Sequence, residues 1–195
     1  MKLFYINIYI IFLCLVAAGQ TNWTIDYGHS QVGFTVTHMV ISEVEGSFKK
    51  FEGTVTTEGQ DFTTMNISVT IDAASVFTNN DRRDSHLRGP DFFYVEKYPN
   101  LTFKSSKVEK SGDNQFRIFG DLTIRDKTNP IILNTKMRGP ITDYRGNTRV
   151  GFKATGSLNR FDYDLNWNNM LETGELVASK EVEITINVEL STPAK

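Results

Sequence analysis

The segment 79–93 is the one stretch where arginine, aspartate and histidine side chains gather between apolar strand patterns. Arg82, His86 and Arg88 are candidates for binding a polar group of a ligand, because guanidinium and imidazole groups are strong hydrogen-bond donors. In this interpretation Phe92 and Phe93, which follow, close an apolar cavity behind those donors. The alternative is that the charges solvate the exposed face of a short helix and contact no ligand.

Helix start and stop signals frame the same segment. Asn80 is a typical N-cap residue, and Gly89 with the proline after it is a typical stop, so the sequence predicts a short helix between them. Asp84 and Arg88 lie four residues apart. That spacing predicts an ion pair on an exposed helix face, which would stabilise the helix by about 0.2–0.5 kcal/mol.

His38 is the most informative of the other histidines. It falls on the same face of a strand pattern as Val32, Phe34 and Val36, so it points wherever that apolar face points. Two interpretations follow. His38 is either hydrogen-bonded at the rim of a core, or it contacts a ligand at the mouth of a cavity.

Motifs for catalysis and for metal binding are missing from the sequence. It has no Gly-x-Ser-x-Gly, no phosphate-binding glycine loop and no His-Glu-x-x-His. His29 and Ser30 could be imagined in a hydrolase triad, but adjacency in sequence does not establish geometry. His29, His38 and His86 could converge on zinc, but no two of them show ligand spacing. We therefore expect neither an enzyme nor a protein with a metal or cofactor.

Alternation of apolar and polar residues with period two runs through most of the chain, which is typical of half-buried β-strands. It is clearest near the end, where Val182, Ile184 and Ile186 alternate with polar residues. Short turn sequences join consecutive patterns, and no linker or repeat divides them. The sequence predicts an all-β fold, an antiparallel β-barrel of about eight strands with one short helix in an inter-strand insertion; a sandwich is the alternative.

Length and charge narrow the class of protein. A chain of 195 residues can bury one substantial core, and 21 basic against 23 acidic residues give a net charge of −2. This balance provides neither the basic field typical of nucleic-acid binding nor a polybasic membrane patch. The fourteen phenylalanines favour an apolar interior or a lined cavity.

The first 19 residues have the pattern of a secretory signal peptide, with a lysine, an apolar run and small residues ending at Gly19. The apolar run, residues 3–16, is shorter than the roughly 20 residues that a membrane-spanning helix needs. The single cysteine, Cys14, lies in this segment, so the mature domain, residues 20–195, has no disulfide. We expect an exported protein without stable membrane insertion.

A series of short motifs runs in order from Trp23 to about Leu190. They are Asp26-x-x-His29-Ser30, Phe34-x-Val36-x-His38, Gly46-x-Phe48-x-x-Phe51-x-Gly53, Arg83-Asp84-x-His86-Leu87-Arg88 with Asp91-Phe92-Phe93, Tyr98-Pro99, Gly120-Asp121-Leu122-Thr123-Ile124 and Val182-x-Ile184. Together they resemble the YceI-like family of lipid- and polyisoprenoid-binding proteins. The resemblance implies an extended lipocalin-like barrel, exported to the bacterial periplasm, whose interior holds a long isoprenoid chain. It also implies a homodimer as one expected assembly.

We therefore expect a periplasmic binding or carrier protein for an amphiphilic isoprenoid lipid of polyprenyl or quinone type. The alternatives are a secreted β-sheet interaction module without a small ligand, and an enzyme that acts on an isoprenoid lipid. The wall of the expected cavity consists of Phe34, Val36, Phe48, Phe103, Phe116, Ile118, Phe152 and Ile184. Its ends are closed by Phe92, Phe93 and Trp167. Its polar mouth is formed by His38, Arg82, His86 and Arg88.

Overall fold

This computed structural model describes residues 19–193, which contain eleven β-strands, one α-helix and three short 3₁₀-helices, Tyr27–His29, Ala73–Ser75 and Arg160–Tyr163. The predicted signal peptide lies outside this range apart from Gly19. The strands are β1 (Gln20–Ile25), β2 (Gln31–His38), β3 (Ser42–Phe48), β4 (Phe51–Glu58), β5 (Asp61–Asp72), β6 (Val76–Phe77), β7 (Asn100–Gly112), β8 (Gln115–Ile124), β9 (Lys127–Thr142), β10 (Thr148–Asn159) and β11 (Ala178–Thr192). The helix, α1, spans Asp81–Arg88 between β6 and β7.

Eight strands close into a barrel in the order β1, β4, β5, β7, β8, β9, β10 and β11, and β11 pairs with β1 to complete the circle. The long β11 also pairs with β2 between Ala178 and Asn187, so β2, β3 and β6 extend the sheet beyond the closure. All neighbouring strands are antiparallel. The predicted antiparallel barrel of about eight strands with one helical insertion is confirmed.

Aromatic rings pack one end of the barrel, which we call the base. The ring centroids of Trp23 and Phe62 are 5.3 Å apart, and those of Phe62 and Phe152 are 5.5 Å apart. The indole N–H of Trp23 donates to the hydroxyl of Thr57 at 2.9 Å, which satisfies the polar atom of an otherwise apolar, buried side chain. The base is therefore a packed core.

The helix begins and ends where the sequence predicts. The Asn80 side chain accepts the backbone N–H of Arg83 at 3.0 Å, and Gly89 follows the last helical residue as the C-cap. With eight residues, α1 is short. In residues 19–193 no helix has the length and apolar character needed to cross a membrane.

One guanidinium joins β1, β11 and the turn between β9 and β10. Arg149 donates from Nη1 to Glu189 at 2.6 Å and to Asp26 at 3.1 Å, and from Nε to Asp143 at 2.7 Å. These hydrogen bonds hold the pKa of the Asp26 and Asp143 carboxyl groups below their usual range. We call these contacts of Arg149 the seam. The Ser30 hydroxyl adds to it, since it donates to the Asp26 carbonyl at 2.7 Å and accepts the Glu189 N–H at 3.1 Å.

We expect acid to weaken this seam. The pKa of Asp26 and of Asp143 is lower in the folded than in the unfolded chain. Their contribution to the free energy of unfolding is therefore complete above about pH 4, and it is lost as the pH falls through the folded-state values. Arg149→Met should lower that free energy at pH 7 and flatten its decline below about pH 4. Urea unfolding across pH measures both effects.

Arg145→Met is the control, because Arg145 lies in the same turn but its guanidinium forms none of these ion pairs. Its unfolding profile should follow that of the wild type. Identical pH profiles for Arg149→Met and the wild type would contradict the assignment of the acid sensitivity to this seam.

Candidate functional site

A cavity of about 860 Å³ occupies the barrel above the packed base. Along β11 its lining reaches from Ala178 to Leu190, a run of roughly 40 Å at ~3.3 Å per residue, so the cavity is elongated. Apolar side chains form most of the wall. Polar lining residues concentrate around α1, where Asn80, Arg82 and His86 are exposed to solvent. We call this end the mouth.

Thr78 fixes α1 to the strand that precedes it. The buried carboxylate of Asp84, 2% exposed, accepts the backbone N–H of Thr78 at 2.8 Å and its hydroxyl at 2.6 Å. Arg83 donates to the same hydroxyl at 2.7 Å and to the Thr78 carbonyl at 2.8 Å. The predicted ion pair between Asp84 and Arg88 is wrong, because a carboxylate this deeply buried requires hydrogen bonds and Thr78 supplies them.

Three rings stand together at the mouth. The imidazole of His86 meets Phe92 at 5.0 Å and Trp167 at 5.7 Å between centroids, in both cases edge to face, and Phe92 and Trp167 are 5.8 Å apart. The Nε2 of His86 lies 2.9 Å from a carboxylate oxygen of Asp91. The loop after α1 and the segment before β11 are thereby held against each other beside the opening.

Arg160 is a buried cation in the cavity lining. It is 3% exposed and donates to the backbone carbonyls of Leu165, Ala178 and Ser179, which fixes the segment between β10 and β11. Burial lowers the pKa of its guanidinium, although an arginine stays protonated in proteins. In residues 19–193 the Arg160 side chain forms no ion pair with a carboxylate.

The structure places all but two of the predicted site residues on the cavity. Those that line it are Phe34, Val36, Phe48, Phe103, Ile118, Phe152, Ile184, Phe92, Phe93, Trp167, His38, Arg82 and His86. Several of these side chains, such as Phe34 and Ile184, are only half-buried because their inner surfaces face empty space. Their contact with a ligand stays a prediction.

Phe116 does not line the cavity. It is 5% exposed and lies near the start of β8, where β8 pairs with the part of β9 next to Met137. Met137 is the register partner of Phe152, which belongs to the packed base. An apolar strand face passes through both the hollow and the packed part of a barrel, so the alternation of residues alone could not separate them.

Arg88 does not line the cavity either. It donates to the carbonyls of Ala74 at 2.8 Å and of Val76 at 2.9 Å, so it holds the end of α1 against β6. Arg88→Ala should therefore lower the free energy of unfolding by about 2 kcal/mol, because hydrogen bonds from a charged donor are lost, and should leave ligand affinity unchanged. Urea unfolding and ligand titration of the same variant test this; a changed ligand preference at unchanged stability would contradict it.

Four polar residues line the cavity but were not among the predicted site residues, namely Thr78, Asn80, Arg83 and Arg160. Asn80 and Arg83 lie within the charged segment 79–93, so a broader choice from that segment would have found them. Arg160 comes directly after β10, at the start of an irregular stretch, and no local signal in the sequence distinguishes it.

The structure does not assemble a catalytic triad around Ser30. Its hydroxyl is engaged by the backbone of Asp26 and Glu189 and forms no hydrogen bond with His29 in the described part of the chain. Potential ligand atoms of Asp26, His29 and Glu189 lie within 4.8 Å of one another, but Arg149 already pairs with both carboxylates. The three histidines lie on three separate elements.

Gly46 makes room for a wall residue. A Cβ at Gly46 would lie 2.2 Å from Cζ of Phe34, which is directly opposite in β2. Gly46→Ala should therefore push the Phe34 ring towards the cavity and weaken binding of a long apolar chain about tenfold. The fold should persist, because the new Cβ meets a side-chain ring and not the backbone. Titration with the C20 alcohol geranylgeraniol measures this. Gly151→Ala, where a Cβ meets no atom within 4 Å, is the control; equal losses in both variants would contradict the explanation.

Comparison with known proteins identifies relatives over nearly the whole described chain. A family model for the YceI-like domain matches residues 23–190. A UPF0312 protein of Staphylococcus aureus is 34% identical over 173 residues, which are 88% of this chain and 98% of the relative. A crystal structure of the Campylobacter jejuni YCEI protein is 31% identical with a TM-score of 0.71 and covers 87% of this chain and 96% of that one.

A more distant structure has the same fold. It is a polyisoprenoid binding domain from Saccharophagus degradans implicated in plant cell wall breakdown. It is 14% identical, with a TM-score of 0.61, over 90% of this chain and 100% of that one.

Proposed function

We propose that this chain, which belongs to the YceI-like domain family, is an exported carrier that holds a long isoprenoid lipid of polyprenyl or quinone type inside its barrel. The observation that carries the proposal is the elongated cavity with an apolar wall and a polar mouth. The polyisoprenoid binding domain that shares the fold supports the same choice of ligand.

The size of the cavity fits a long chain. At 860 Å³ it lies towards the upper end of ligand sites, which are typically about 300–1,000 Å³. If each non-hydrogen atom takes the ~30 Å³ that a water molecule occupies in the liquid, about thirty atoms fit. That is about six isoprene units of five carbons each.

The apolar wall can supply the binding energy. Removing a methylene-sized group from water yields about 0.8 kcal/mol, so about twenty carbons offer ~16 kcal/mol before association costs of ~4–15 kcal/mol are subtracted. A neutral hydrogen bond at the mouth adds only about 0.5–1.5 kcal/mol. We therefore expect the interior to set affinity and the mouth to set the choice of head group.

Native mass spectrometry tests the proposal. Delipidated protein mixed with geranylgeraniol should gain the mass of one ligand molecule, and protein purified from its own host should carry a stoichiometric lipid that an apolar solvent extracts. Protein that carries no lipid and gains none in the titration would instead be an interaction module or an enzyme with a different substrate.

Export is a separate part of the proposal. Cleavage after Gly19 would leave small residues at the positions before the cut, as signal peptidase requires, and the mature protein would begin at Gln20. Intact mass of the protein from the soluble periplasmic fraction measures this directly. A species there that retains residues 1–19 would contradict it.

A further inference from the structure

Charge is distributed unevenly around the cavity. Its ionisable lining residues are two histidines and three arginines, namely His38, His86, Arg82, Arg83 and Arg160. No aspartate or glutamate in residues 19–193 lines it, although acidic residues outnumber basic ones in the whole chain. An apolar cavity whose only charges are of one sign discriminates between ligands by their charge.

These five side chains lie at one end of the cavity. His38 is the register partner of Ala178, whose carbonyl accepts a hydrogen bond from Arg160. Arg160 also binds the carbonyl of Leu165, two residues before the ring of Trp167, and that ring is packed against His86 of α1. The other end, near Ile25 and Leu190, carries no charged lining residue. The cavity therefore has a cationic mouth and a neutral, apolar floor.

The charge of Arg83 is already compensated, because Arg83 shares the hydroxyl of Thr78 with the carboxylate of Asp84. Arg82 and Arg160 form no ion pair with any described carboxylate. Three of the five N–H groups of Arg160 donate to carbonyls, and its guanidinium lies 4.4 Å from the centroid of the Phe161 ring. Its net charge is therefore buried without a carboxylate as counter-charge.

We infer that the cavity selects amphiphiles with an anionic head group, a carboxylate or a phosphate, over neutral and cationic ones that have the same chain. The head group lies at the mouth near Arg82 and Arg160, and the chain extends towards Ile25 and Leu190. A buried cation without a partner is costly, and an anion placed near it at low dielectric recovers that cost, whereas an ammonium group adds repulsion. This inference rests on the proposed function and adds the head-group class to it.

A series of ligands with one chain and three head groups tests the inference. Geranylgeranoic acid, geranylgeraniol and geranylgeranylamine are compared by displacement of a bound polyene fluorophore at pH 7. The carboxylate should bind about tenfold more tightly than the alcohol and about a hundredfold more tightly than the amine. Inorganic pyrophosphate and acetate should not displace the probe, which separates an anionic amphiphile from a free anion.

Charge reversal at the mouth is the sharpest variant. Arg82 is exposed, and its side chain forms no ion pair with a described carboxylate, so Arg82→Glu should fold. It should reduce the ratio of carboxylate to amine affinity at least tenfold. Arg145→Glu changes the net charge by the same amount, but Arg145 lies in the turn after β9, beyond the base. This variant should therefore preserve the ratio of carboxylate to amine affinity. Arg160→Met should also reduce the ratio, with circular dichroism as the check on its fold.

The outcomes separate the two proposals. If none of the three ligands binds, the proposed function fails. If all three bind with equal affinity, or if the amine binds best, the proposed function stands and the charge selection is overturned. Equal changes of the affinity ratio in Arg82→Glu and Arg145→Glu would also overturn the charge selection.

Discussion

Phe34→Asp should empty the barrel of an isoprenoid ligand and leave the fold in place. Phe34 lines the cavity and is half-buried, so its replacement puts a carboxylate against an apolar wall without removing a residue from the packed base. A bound chain would strip water from that carboxylate, and the penalty of several kcal/mol corresponds to a loss of at least about a hundredfold in affinity. Titration with geranylgeraniol, with circular dichroism as a check on the fold, measures the effect.

Ile132→Asp is the matched control. Ile132 lies on β9 and is 47% exposed on the outside of the barrel, so the same new charge meets water and not ligand. Its affinity for geranylgeraniol should equal that of the wild type. A folded Phe34→Asp protein that binds as tightly as Ile132→Asp would show that the ligand site is not the barrel interior.

Asp84→Ala should cause the largest loss of stability among single changes near the mouth. The 2%-exposed carboxylate accepts two hydrogen bonds from Thr78, so its removal leaves a buried N–H and a buried hydroxyl without this acceptor. We expect the free energy of unfolding to fall by about 3 kcal/mol, and the melting temperature by roughly 6–12 °C for a domain of this size. Urea unfolding and calorimetry measure both quantities.

Asp81→Ala tests whether burial is the cause. Asp81 lies in the first turn of the same helix and is exposed, so its loss should cost only the weak interaction of a carboxylate with the helix N-terminus, about 0.3–1 kcal/mol. Equal destabilisation by the two substitutions would mean that Asp84 acts through helix charge and not through Thr78.

We expect the mouth and the interior to have different roles in binding the proposed ligand. The rings of His86, Phe92 and Trp167 join two segments that are distant in sequence, and Arg160 holds one of those segments by its carbonyls. These contacts place polar groups at fixed positions around an opening, as selection of a head group requires. The wall below is mostly apolar. The free energy gained by burying a chain against it grows with chain length and does not depend on the head group.

The sequence by itself determined the elements of this protein. Period-two alternation predicted most of the strands, because one face of each strand is buried and the other meets water. Asn80 and Gly89 predicted both ends of the helix, because capping depends on residues next in sequence. The apolar faces also placed most of the cavity wall, including Phe34 and Ile184, on the correct side of the sheet.

Only the tertiary structure decided which part of the barrel is hollow and which is packed. Phe116 and Ile118 share one face of β8, yet Phe116 is packed and Ile118 lines the cavity. The difference depends on which side chains other strands bring to each level of the barrel. The same reason explains why Arg88 does not line the cavity as predicted and why Arg160, which does, was missed. Arg88 bonds to carbonyls of residues 74 and 76, and Arg160 to that of residue 178. Such partners are chosen by how the chain folds back on itself, which local spacing does not encode.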